Sequence, residues 1–120
     1  MNLAVVATFG ALGAVARFTV DGTIRSRMPS TTPWATILIN VSGSFLLGLV
    51  TGLVTDHGLS ETLRLAVGTG FCGGYTTFST AMFETVRLIQ QSAWRLVAAN
   101  VVATVVLTTA AAAVGLAVVA

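Results

Sequence analysis

Between Gly68 and Glu84 the chain reads Gly-Thr-Gly-Phe-Cys-Gly-Gly-Tyr-Thr-Thr-Phe-Ser-Thr-Ala-Met-Phe-Glu, inside a hydrophobic segment where a membrane-spanning helix is expected. Four glycines fall in its first seven residues, and five hydroxyl side chains lie between Tyr75 and Thr80. A glycine in a helix interior costs about 1 kcal/mol relative to alanine. Gly73-Gly74 followed by Tyr75-Thr76-Thr77 therefore predicts a helix that stops and restarts. In hydrocarbon every peptide group left unpaired by such a break costs several kcal/mol, so it persists only where protein, water or a bound ion satisfies those groups. The stretch is a candidate ion site.

The surrounding composition sets the solvent. Of 120 residues 55% are hydrophobic and 8% charged, and the mean hydropathy is +0.91, whereas soluble domains carry about 25% charged residues. The expectation is an all-α membrane protein. At about 20 residues per crossing, one domain covering residues 1–120 holds four spans, near 3–23, 34–55, 63–88 and 96–118. All six basic residues are arginine and the net charge is only +2, which argues against nucleic acid as a partner. The single cysteine, Cys72, lies in the apolar third segment and reads as a small packing residue, with no intrachain disulfide available. Met1 to Ala16 is apolar, but no positive region precedes it and it runs straight into Arg17-Phe18. It reads as a retained first span, not a secretion signal.

In the first span, Arg17 and Asp21 stand four apart and can neutralise each other near the membrane edge. Arg17 reads equally as an interface anchor with its head drawn to water or as a charge attracting anions to an aqueous vestibule. Gly10, Gly13 and Ala14 offer a small face for close helix packing. The first loop is punctuated by Pro29 and Pro33, with Ser30, Thr31 and Thr32 between them. Trp34 then marks the next interface. In the second span Thr36, Asn40, Ser44, Gly48 and Gly52 recur every four residues, forming one stripe. The glycines suit helix packing. Asn40 must find a partner in the membrane, either in the fold or by donating its NH2 to an anion.

In the second loop Ser60 is a plausible N-cap, and His57 has no metal-ligand set around it. Positions 68, 70 and 73 spell G-x-G-x-x-G, but no strand, βαβ unit or ribose-binding acid accompanies them, so dinucleotide binding is rejected. Thr76, Thr80 and Glu84 are spaced as a second polar stripe, and Glu84 can alternatively pair with Arg87 at i, i+3. Trp94 and Arg95 open the fourth span, in which Asn100, Thr104 and Thr108 make a third stripe. Arg25, Arg27, Arg87 and Arg95 fall on the side of loops one and three, against Asp56, Glu61 and Arg64 in loop two. The positive-inside rule then places loops one and three in the cytoplasm and both termini outside.

Three motifs resemble the Fluc (CrcB) fluoride channel family. Gly13-Ala14-Val15-Ala16-Arg17-Phe18 is similar to its first-span G-A-x-x-R-aromatic pattern. Asn40, Gly43-Ser44-Phe45 and Gly48 resemble its second-span N-x-x-G-S-F-x-x-G. Gly73-Gly74-Tyr75-Thr76-Thr77-Phe78-Ser79-Thr80, with Glu84, resembles its third-span G-G-x-T-T-F-S-T. The resemblance implies a cell-membrane protein of four helices, the third broken mid-membrane, packed as an antiparallel, dual-topology-type dimer. It implies passive export of cytoplasmic fluoride through two narrow pores, and a structural sodium ion at the dimer centre that is not transported. By position, the carbonyls of Gly73 and Thr76 would hold the sodium. Asn40, Phe78, Ser79, Thr80, Thr104 and Thr108 would line the fluoride path, with Arg17 and Glu84 in the vestibules.

One position departs from the pattern. Where many relatives have T-T-F-S-T-F, Ala81 replaces the second phenylalanine. Together with the arginine bias, this raises a heterodimer with a paralogous subunit and one degenerate pore beside the homodimer. A small multidrug antiporter has similar size and topology, but it needs a membrane-embedded carboxylate in the first span, where this chain offers Arg17 with Asp21 near the edge. A subunit whose glycines only pack helices would leave the Asn40 and threonine stripes unexplained. No nucleophile–base pair or metal cluster suggests an enzyme.

Overall fold

The structure, a computed structural model, describes residues 2–27 and 34–120. Pro29, Pro33 and the hydroxyl residues between them lie outside the described residues. The fold is helical, with no strand among the described residues. Helices α1 (Asn2–Arg27), α2 (Trp34–His57) and α6 (Trp94–Val119) are each long and apolar enough to cross a membrane. They run beyond the apolar stretches that predicted them. At the end of α1 the Thr19 and Thr23 hydroxyls bond back to the carbonyls of Val15 and Thr19, at 3.0 and 2.9 Å, which continues the helix into its polar end.

Between α2 and α6 the chain changes geometry several times. Ser60 caps the short α3 (Glu61–Leu63) as expected, its hydroxyl accepting the Leu63 N–H at 3.3 Å. A π-helical stretch, Arg64–Cys72, follows and then α4 (Gly73–Tyr75). Thr76 (φ −79°, ψ 159°) and Thr77 (φ −145°, ψ 122°) are extended. Helix α5 then occupies Phe78–Gln90. The π stretch is not expected from the sequence, because side-chain periodicity does not reveal whether an N–H bonds four or five residues back.

Two side-by-side pairs build the frame. A side chain on Gly48 would overlap the Ala112 carbonyl, and one on Gly115 the Phe45 carbonyl, so α2 and α6 touch backbone to backbone. In the same way Gly13 lies on the Phe71 carbonyl and Gly74 on that of Gly10, bringing α1 against residues 70–75. Both small-residue faces read from the sequence are thus packing faces. His57 Nε2 meets the Val119 carbonyl, tying the α2 and α6 ends together. Helix α5 packs on α6 and meets the start of α2.

Candidate ion site at the helix break

In an uninterrupted α-helix the Thr77 N–H would bond the Gly73 carbonyl and the Phe78 N–H that of Gly74. Here other groups take those places. Asn40 accepts the Thr77 N–H at Oδ1 (2.9 Å) and donates from Nδ2 to the Thr77 carbonyl (3.0 Å). Arg17 Nε donates to the Gly74 carbonyl at 3.2 Å. The Thr76 hydroxyl and N–H both bond the Cys72 carbonyl, at 2.7 and 2.9 Å. Thr77 caps the restart, its Oγ1 accepting the Thr80 N–H at 3.2 Å. Among the described residues, the carbonyls of Gly73 and Thr76 accept neither a side-chain hydrogen bond nor one from a neighbouring element. Asn40 lies about 9 Å of helix rise inside Trp34, at about 1.5 Å per residue, and it is buried.

A groove of about 590 Å³ opens beside the break. Asn40 and Ser44 of α2, Gly73, Thr76 and Phe78, and Asn100, Thr104 and Thr108 of α6 line it. The structure thus brings residues from all three polar stripes to one cavity. Phe78 is 77% exposed, so its ring is free of packing duties within this chain. Thr80 instead lines a second cavity of about 230 Å³, with Arg17, Asp21, Thr36 and Thr77. Ser79 borders neither cavity, and its hydroxyl lies 3.4 Å from that of Thr77.

Three sequence expectations change. Thr76, Thr80 and Glu84 do not form one stripe, because two extended residues separate Thr76 from α5 and rotate the helical phase. Asp21 pairs with Arg25 (2.8 Å), not Arg17. Both arginines stand four residues away, but an acid N-terminal to its base is the better orientation, and Arg17 is drawn to the Gly74 carbonyl. Glu84 receives the Thr36 hydroxyl and Arg25 Nη2 (3.3 Å), not Arg87.

Thr85 is a site residue that the sequence reading missed. Its hydroxyl donates to the Ala81 carbonyl and accepts from Asn100 Nδ2, each at 2.8 Å, on the groove wall. Asn100 is 4% exposed. Thr85→Val keeps the shape but orphans this amide, so unfolding stability is expected to fall by about 1–3 kcal/mol. Thermal unfolding in detergent with an unchanged midpoint would refute the bond.

Residues 4–116 match the family model described as CrcB-like protein, Camphor Resistance (CrcB). A protein of Leifsonia xyli named Fluoride-specific ion channel FluC 1 is 59% identical over 90 residues, 75% of this chain and 66% of that protein. Fluoride-specific ion channel FluC of Syntrophotalea carbinolica is 38% identical over 117 residues, 97% of this chain and 95% of its own length. Fluoride-specific ion channel FluC 2 of Mycobacterium tuberculosis is 43% identical over 110 residues, 92% of this chain and 84% of that protein. With its three long apolar helices and a match that runs nearly end to end, the chain is a multi-pass membrane protein that belongs to the CrcB family.

Proposed function

We propose that the chain forms a fluoride channel, not an enzyme, and lets the anion leave the cytoplasm passively. The observation that carries the reading is the groove beside the break, where amide and hydroxyl groups of Asn40, Thr104 and Thr108 meet the exposed ring of Phe78. A small, strongly hydrated anion needs hydrogen-bond donors in place of water, and hydroxyls, amides and the positive edge of an aromatic ring supply them. Ser79 and Thr80 continue this path in the assembled channel, while Arg17 and Glu84 set the potential at its mouths. Residues 61–75 and α5 together make the third of four crossings, so that the break falls within the bilayer.

The carbonyls of Gly73 and Thr76, partnerless among the described residues, fit a hard cation, which prefers oxygen ligands. One chain offers two. An antiparallel second subunit would bring two more, which supports a dimer around a structural sodium ion. The ion would supply only fixed positive charge at the centre. Ala81, buried at 5% exposure, contributes no aromatic to the groove; this supports a heterodimeric reading in which a paralogous subunit completes one pore. A multidrug antiporter is disfavoured because Asp21 is already engaged by Arg25.

Liposomes reconstituted with this chain alone are expected to release fluoride but not chloride when the membrane potential is collapsed. Efflux that appears only after adding a paralogous subunit establishes the heterodimer. Proton-coupled cation exchange without fluoride efflux would sink the channel reading.

A further inference from the structure

The Asn40–Thr77 contact is a two-point one. Nδ2 and Oδ1 of one amide group meet the C=O and N–H of one residue, at 3.0 and 2.9 Å. A side-chain amide carries a donor and an acceptor spaced much like those of a peptide group, so Asn40 pairs with Thr77 as a neighbouring strand would. Aspartate lacks the donor, and an aliphatic residue lacks both groups. With Asn40 in place, the Thr77 N–H is unavailable to the Gly73 carbonyl. Without it, the cheapest partner for that N–H in an apolar setting is the Gly73 carbonyl itself, and the helix closes through the break.

We infer that Asn40 is a positioning residue. It holds Thr77 extended and thereby keeps the Gly73 carbonyl free for a cation that Asn40 itself does not touch. Arg17 assists from the opposite side by occupying the Gly74 carbonyl, which would otherwise receive the Phe78 N–H. The extended geometry at Thr77 stands on hydrogen bonds alone; the consequence for the cation rests on the sodium reading given above.

The test uses the full chain in lipid nanodiscs and liposomes, as the parent and as Asn40→Leu, which keeps bulk and removes both hydrogen bonds. In the parent, one Asn40 Nδ2 proton is expected to exchange with water at least about tenfold more slowly than those of the exposed Gln91, the protection of a buried hydrogen bond. Fast exchange there overturns the inference before any variant is made. In Asn40→Leu the carbon chemical shifts of Thr77 are expected to move from extended toward helical values. The sodium concentration giving half-maximal fluoride efflux is expected to rise at least about tenfold, the ratio set by a lost bond worth about 1.4 kcal/mol.

Extended Thr77 shifts in the variant overturn the proposal. So does an unchanged sodium requirement in the variant. Should parent efflux ignore sodium, the sodium reading fails, and the Thr77 shifts still decide the role of Asn40.

Discussion

Phe78→Ile is expected to cut fluoride efflux by about thirtyfold without disturbing the fold. The side chain is 77% exposed in this chain, so the change removes almost no internal packing, and exposed substitutions of this kind stay within about 0.5 kcal/mol of stability. What disappears is the aromatic quadrupole. A desolvated cation on a ring face gains about 2 kcal/mol, and the ring edge offers an anion the same multipole with the opposite sign. Losing about 2 kcal/mol at the highest barrier slows passage by about thirtyfold. A fluoride electrode reads the rate, and gel filtration checks assembly. Parent-like efflux from a correctly assembled Phe78→Ile protein would remove the ring from the mechanism.

The second large effect falls on the frame. Gly74→Val places a Cβ over the Gly10 carbonyl oxygen, 2.9 Å from the carbonyl carbon and 3.1 Å from the Ala14 nitrogen. All three are backbone atoms, so no rotamer change gives relief. Helix α1 must withdraw, and the Arg17–Gly74 bond goes with it. Overpacking usually costs about 1–3 kcal/mol, and with no flexible neighbour the loss here is expected at about 3 kcal/mol or above. Gly22 makes the comparison, since nothing lies within 4 Å of a Cβ there. Gly22→Ala is expected to be neutral or stabilising by up to about 1 kcal/mol. Thermal unfolding of the purified proteins in detergent should separate the two. Equal midpoints would contradict the close approach of α1.

Much of this architecture was legible in the sequence because hydrophobic runs and small-residue spacing report directly on membrane crossing and helix contact. The Gly48 and Gly52 spacing marked a packing face, which meets α6, and Gly10 and Gly13 another, which meets residues 70–75, though neither partner was written in the spacing. Glycines and hydroxyls around Thr76 located the extended residues. Partners across the fold were another matter. Asp21 has arginines four residues away on both sides, and the Gly74 carbonyl, far along the chain, adds to the local preference for Arg25 by drawing Arg17 away. Glu84 has Arg87 on its own helix, yet Thr36 and Arg25 reach it from α2 and α1. The second-span stripe looked uniform but divides its duties: Thr36 binds Glu84, Asn40 binds Thr77, and the glycines meet α6. Thr85 escaped notice because a threonine on an apolar helix commonly bonds its own backbone; it does so here, and serves Asn100 as well.

The division of the frame into two backbone-welded pairs leaves α5 outside both seams, held by the Glu84 contacts and by the Thr85–Asn100 bond. A residue exchanged on α5 therefore leaves both backbone seams untouched. Ala81 is one such residue, so the groove it lines can drift in character while the hull around it stays sound.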